Sequence, residues 1–199
     1  MPQLREAHIT HCRLTRLPDE MQRFAFLQTL SLDDNRIEDA APLYALPKIH
    51  ILSLRRNRIR RFAPCAGSLP QLTQLNLSGN RHLSSEELDF SALGALEELC
   101  LSSCHLRHLP ESANWQALQM LRTLDLRRNK LRSIPATLHH LPQLHTIHLA
   151  SNNLPIGELI AWLRSLPKLK ELTIRLRDYS KAEREQLHAA LPPKCRTNL

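Results

Sequence analysis

Glycine is scarce in this chain. Four glycines in 199 residues, with no low-complexity tract, exclude a long flexible linker. No run of 18 apolar residues occurs, so no membrane-spanning helix is expected. The start, MPQLREAHITHCR, has no apolar core of the secretory-leader kind. Five cysteines is an odd number, and no CxxC pair of the zinc-ribbon type occurs. Free thiols in a reducing compartment are the expectation, and with them a cytoplasmic location. There is no phosphate-cradling glycine loop, no HExxH and no GxSxG, so no metal, cofactor or catalytic group is implied.

What is abundant is repetition. LSLDDNRI at 30–37 returns as LSLRRNRI at 52–59 and LDLRRNKL at 124–131. The full pattern is LxxLxLxxNxL. Its first position falls at Leu4, Leu27, Ile49, Leu72, Leu96, Leu121, Leu144 and Leu169, 22 to 25 residues apart. One supersecondary unit copied at a fixed period cannot bury its apolar edge alone, so neighbours stack and share a core. Positions four and six, such as Leu75 and Leu77, lie two apart and share one face of a short strand. Position nine is Asn35, Asn57, Asn80, Asn129 and Asn152, with Cys12 and Cys104 as substitutes. A buried amide there can satisfy the turn leaving the strand and ladder from unit to unit, and a small buried thiol can fill the same slot.

These residues resemble the leucine-rich repeat family over about residues 4–177. LTRLP, LRHLP and LRSIP follow position nine, and SLP or HLP precedes several strands, as in that family. The resemblance implies an α/β solenoid: a parallel sheet on the concave face and an irregular or short-helical convex wall. Eight units would span 1–177, and the last would carry Arg177 in place of Asn. Ser180 and Glu183 make a capping box for a helix with Leu187 and Leu191 on one face, and residues 178–199 would cap the last apolar edge. Such a closing segment is similar to that of free-standing bacterial members and would mark a natural carboxyl end. The weak first unit, with Ala7 and Cys12, leaves two readings open: an exposed first unit, or one part of a longer protein. On the convex side SSEE predicts a short helix at about 85–93. IGELIAWLRSL predicts a fuller one with Leu159, Ile160 and Leu163 inward.

Register also says which side chains leave the sheet on the concave side. Position five gives Asn76, Cys100, Asp125 and His148. Positions seven and eight give Arg55 and Arg56, Ser78 and Gly79, Ser102 and Ser103, and Arg127 and Arg128. Two arginine pairs, roughly 14 Å apart at strand spacing, thus flank rows of small residues. Arginine forks at both margins can grip carboxylates while a ligand backbone comes close between them. The competing reading is internal: Asp33 and Asp34 lie one strand from Arg55 and Arg56, and Asp125 shares a strand with Arg127. Such exposed pairs are worth little. Partner-binding residues are therefore expected among Arg55, Arg56, Asn76, Ser78, Cys100, Ser102, Asp125, Arg127, Arg128 and His148.

Cys100, Asp125 and His148 invite a catalytic reading, but the carboxylate stands in the middle, where the base belongs. Position ten adds a basic stripe, Arg13, Arg36, Arg58, Arg81, His105 and Lys130, about 24 Å long. Basic residues outnumber acidic ones, 27 to 19, which favours acidic partners. No concave strand position carries Phe, Tyr or Trp, so base stacking, and with it nucleic acid, is disfavoured. The expected function is a non-catalytic, monomeric module that binds an acidic protein through its concave face. Two alternatives stand beside it. One is the substrate-recognition part of a secreted bacterial effector of the ubiquitin-ligase type, acting in a host cell. The other is an electrostatic binder of nucleic acid or anionic membrane.

Overall fold

The computed structural model describes residues 3–175 and 179–197. Nine short strands follow one another through it: β1 Glu6–His8, β2 Thr29–Ser31, β3 Ile51–Ser53, β4 Gln74–Asn76, β5 Glu98–Cys100, β6 Thr123–Asp125, β7 Thr146–His148, β8 Glu171–Thr173 and β9 Arg196–Thr197. All pair in parallel, each with its sequence neighbours. The register is the repeat frame itself. Leu30 lies opposite Leu52, Leu52 opposite Leu75, and Asn76 opposite Cys100.

Leucines at positions one, four and six fill the interior; Leu72, Leu75 and Leu77 are at most 1% exposed. Burying one such side chain contributes about 1.5–3 kcal/mol. Position nine supplies the polar seam. The Asn57 amide donates to the Leu32 carbonyl at 2.9 Å and the Leu54 carbonyl at 3.1 Å, and its oxygen accepts from Ile37 N–H at 3.0 Å. Asn80 repeats the set one unit on, donating to Leu54 and Leu77 and accepting from Ile59. Each Asn therefore ties its own turn to the preceding unit, and every polar atom it buries is used.

Position eight is a joint. His11, Asp34, Arg56, Ser103, Arg128 and Ser151 all have φ between 52° and 63°, and Gly79 has φ 79°. The chain turns sharply out of β1 to β7 through this left-handed residue. At Gly79 space matters as well: a Cβ would sit 3.0 Å from Arg56 Cγ and 3.3 Å from its backbone.

The convex wall is built of 3-10 turns and two α-helices, α1 (Ile156–Arg164) and α2 (Lys181–Ala190). These are broader than a strand, so the sheet takes the inner, concave side. The predicted helix at 85–93 is only a 3-10 turn, Ser85–Glu87, and Ser84 makes no side-chain cap. Backbone pairing wins there: Phe62 N–H donates to the Glu87 carbonyl and Asp89 N–H to the Phe62 carbonyl. Leu88 and Phe90 are then buried two apart, as an extended chain requires. In α1 the inward residues are Leu159, Trp162 and Leu163, with Ile160 only partly buried. The indole wins because burial also gives its N–H a partner, the Leu138 carbonyl at 3.2 Å. Trp115 is buried likewise, its N–H on the Pro110 carbonyl at 2.9 Å and its ring 4.9 Å from that of Phe90.

The Ser180–Glu183 capping box forms, and Leu187 is fully buried where α2 packs on α1. The following segment then adds β9, a strand the sequence reading did not anticipate, with Arg196 opposite Glu171. Arg177, the expected departure at position nine of the eighth unit, lies outside the described residues, as does its neighbour Leu176. Cys12 is exposed rather than buried. It stands in the first unit, and its thiol turns back to the Thr10 carbonyl at 3.1 Å.

Candidate functional site

The turns that leave β3 to β8 enclose a concavity of about 570 Å³. Its margins are Arg55 and Arg56 on one side and Arg127, Arg128 and Arg175 on the other. The floor is made of small side chains: Ser78, Gly79, Ser102, Ser103, Ala150 and Ser151. The left-handed joint builds this shape. It swings position eight to the rim, and the strand ladder holds equivalent residues of successive units side by side.

The five arginines are not equivalent. Asp125 is only 5% exposed, and its carboxylate takes Arg127 Nε at 3.0 Å, Arg127 Nη2 at 2.8 Å and the Arg127 backbone N–H at 3.0 Å. This bidentate grip raises the Arg127 guanidinium above its ordinary pKa. Most of the Arg127 fork is therefore spent within the chain. Arg56 reaches Asp34 at 3.4 Å with a largely exposed side chain, a weak surface contact. Asp33 accepts from the Arg55 backbone N–H at 2.9 Å and from the Ser53 hydroxyl, and leaves the Arg55 guanidinium alone. Among the described residues, the guanidinium groups of Arg55, Arg128 and Arg175 have no hydrogen-bond or ion-pair partner. Arg175 occupies position seven of the eighth unit. The repeat frame places it in the arginine row, and only the pairing of neighbouring units shows that it shares the concavity.

The structure gathers Arg55, Arg56, Ser78, Ser102, Arg127 and Arg128 around this trough. Asn76, Cys100, Asp125 and His148 form a separate row on the strands beside it, opposite one another in register. Asn76 is used locally, its oxygen accepting from Ser78 N–H at 2.9 Å. His148 Nδ1 lies 2.9 Å from the Thr173 hydroxyl, one strand further from Asp125. Burial, and then the Asp125 and Glu98 charges, push the Cys100 thiol up to about 11. A thiol held protonated is a poor nucleophile. This row thus contains an Asp held by Arg127, a thiol that burial keeps protonated and a His hydrogen-bonded to Thr173.

The stripe side chains, Arg13, Arg36, Arg58, Arg81, His105 and Lys130, are all exposed. No carboxylate lies within ion-pair distance of them among the described residues. Two and three residues further along the third unit, at positions twelve and thirteen, Arg60 meets Glu38 at 3.2 Å and Arg61 meets Glu87 at 3.4 Å.

A family model described as leucine rich repeat matches residues 25–82, 47–106 and 94–154. Mouse podocan is 32% identical over 183 residues, which is 86% of this chain and 28% of podocan. A putative disease resistance protein of Arabidopsis thaliana is 32% identical over 159 residues, 79% of this chain and 18% of that protein. The chain thus spans less than a third of these two relatives. Human trophoblast glycoprotein superposes with a TM-score of 0.69 at 26% identity, covering 85% of this chain and 69% of that one. Internalin C2 of Listeria monocytogenes gives a TM-score of 0.66 at 23% identity, over 88% and 76% of the two chains, and shares the fold. The two curated relatives are animal and plant proteins, so they lend no support to a bacterial origin. Repeat frame, sheet register and these likenesses agree: the chain belongs to the leucine-rich repeat family, whose members generally mediate protein–protein interaction.

Proposed function

We propose that this chain is a non-catalytic binding module that holds an acidic segment of another protein across the trough. The observation that carries this reading is the set of three guanidinium groups, Arg55, Arg128 and Arg175, that have no partner among the described residues, around a floor of small residues. The margins supply forks for carboxylates, and the floor lets a backbone approach. A titration of the full chain with a fluorescent oligoglutamate peptide tests it. Binding that weakens in both Ser102→Trp and Arg128→Ala supports the trough. Unchanged affinity in both would remove it.

A second reading is favoured by the exposed basic stripe: electrostatic capture of a polyanion along the lateral edge. There, changes at Arg13, Arg36 and Arg58 would be severe, Ser102→Trp would be silent, and affinity would fall steeply with salt.

A further inference from the structure

The opposite margin of the sheet, at the amino ends of the strands, carries a different cluster. Position two reads Arg122, His145 and Lys170 in three consecutive units. β6, β7 and β8 pair in register, so these residues stack at strand spacing, about 4.8 Å. Lys168 lies two residues before Lys170, at the end of the seventh unit. Lys194 comes from the segment after α2, which Arg196 N–H fastens to the Lys170 carbonyl at 2.7 Å. His145, Lys168, Lys170 and Lys194 thereby line one cleft of about 470 Å³, together with Pro167, Pro192 and Pro193.

Among the described residues, no carboxylate lines this cleft. Among the described residues, the ammonium groups of Lys170 and Lys194 have no partner. Lys168 Nζ donates to the neutral Gln143 amide oxygen at 3.2 Å. Arg122, beside the cleft, meets Glu97 at 3.7 Å. Cations brought together without counter-charge repel one another within a Debye length. His145 registers that field: burial first, then Lys170, Lys168 and Arg122, hold its imidazole below the ordinary 6.5. A neutral ring can donate one N–H and accept a proton when negative charge arrives.

We propose that this cleft binds a soluble diphosphate-bearing small molecule, with Lys168, Lys170 and Lys194 on the phosphate oxygens and His145 as a further donor. Lysines are compact point charges that suit tetrahedral phosphate, whereas the arginine forks of the trough suit planar carboxylates. Pro167, Pro192 and Pro193 also line the cleft and have no backbone N–H, so the donors to phosphate are the lysine and histidine side chains. The site is independent of the trough and of the reading given to it.

Inorganic pyrophosphate is the probe, titrated calorimetrically into the full chain near pH 7. Saturable binding is expected, weakened about tenfold or more in Lys170→Gln/Lys194→Gln and unchanged in Arg55→Ala/Arg128→Ala. Both lysines are exposed, so the variant keeps its fold, checked by its melting temperature. On binding, the His145 pKa followed by NMR rises, and the signal is assigned by its absence in His145→Gln. Absence of saturation in the wild type overturns the proposal. So does loss of binding in the trough variant with retention in the lysine variant, or a His145 pKa that does not move.

Discussion

Cys104 and Asn129 divide the polar contacts of their neighbouring units unequally: Asn129 makes the full set of ladder bonds and also accepts the Cys104 backbone N–H, while Cys104 offers a thiol. The Cys104 thiol donates to the Leu77 carbonyl at 3.2 Å, in the place of an amide N–H. Its backbone N–H and that of Leu106 both turn to the Asn129 oxygen, at 3.1 and 3.0 Å. Burial pushes this thiol up to about 12, so it acts as a neutral filler.

That division predicts unequal losses. Asn129→Ala strands two backbone donors and the carbonyls of Leu101 and Leu126, and should cost about 3 kcal/mol or more. Cys104→Ala gives up one weak bond and a small volume, about 1 kcal/mol. Urea melts of the two variants check the ratio. Equal losses would show that the ladder does not run through Asn129.

The register makes a second comparison. Leu75→Ala removes a side chain that is 1% exposed and should cost about 2–5 kcal/mol. Asn76→Ala, next in the strand, removes only the acceptor for Ser78 N–H and should cost about 0.5–1.5 kcal/mol. A reversed order in denaturant melts would shift the repeat frame by one residue.

Arg127 and Arg128 should separate stability from binding. Arg127→Ala leaves the buried Asp125 carboxylate without its fork and should cost about 1–3 kcal/mol of stability. Arg128→Ala should leave the melt within about 0.5 kcal/mol of wild type. In the oligoglutamate titration, Arg128→Ala should nonetheless weaken binding and flatten its salt dependence.

Glu111 predicts a pH effect. Its carboxylate takes the Thr137 hydroxyl at 2.6 Å and the Ala136 N–H at 2.6 Å, both in the next unit. The Thr137 hydroxyl above all, then these backbone donors, hold it below its ordinary 4.5. A depressed carboxyl contributes stability that is present above its unfolded pKa and lost as pH falls through the folded one. The wild-type melting temperature should therefore fall below about pH 4.5, and Glu111→Gln should remove part of that slope. Parallel curves for the two proteins would exclude this contact as a contributor.

The closing helix gives a fifth test. Leu187→Ala should cost about 2–5 kcal/mol, because the side chain is fully buried in the described structure. An unchanged melt would mean that α2 does not cover the apolar edge.

The leucine period alone was enough to place eight of the nine strands, because position-four and position-six side chains have one way to share a core. The convex wall was less legible. Ser84 and Glu87 look like a capping box, but cross-unit pairing of Phe62 with Glu87 and Asp89 is a long-range contact that local patterning does not encode. β9 was missed because Lys194, Cys195 and Arg196 carry no leucine signal. At the site, register named both arginine pairs. It offered the Asp125–Arg127 pair only as an exposed one, whereas Asp125 is buried, and it could not say that Arg175 joins the same hollow, since both depend on side-chain reach. The cleft beside His145 needs a segment from beyond α2, and no spacing rule announces that.

The left-handed joint at position eight separates what the surface says from how the scaffold stands. Arg56, Ser103, Arg128 and Ser151 hold nearly the same φ with unlike side chains, all outside the core. The backbone cost of that conformation falls on any residue with a Cβ, whatever lies beyond it. Exchanging Arg for Ser at this row therefore changes what can be held while the stack beneath keeps its energy. The rim is a row of interchangeable characters, and a new recognition surface can be written there one unit at a time.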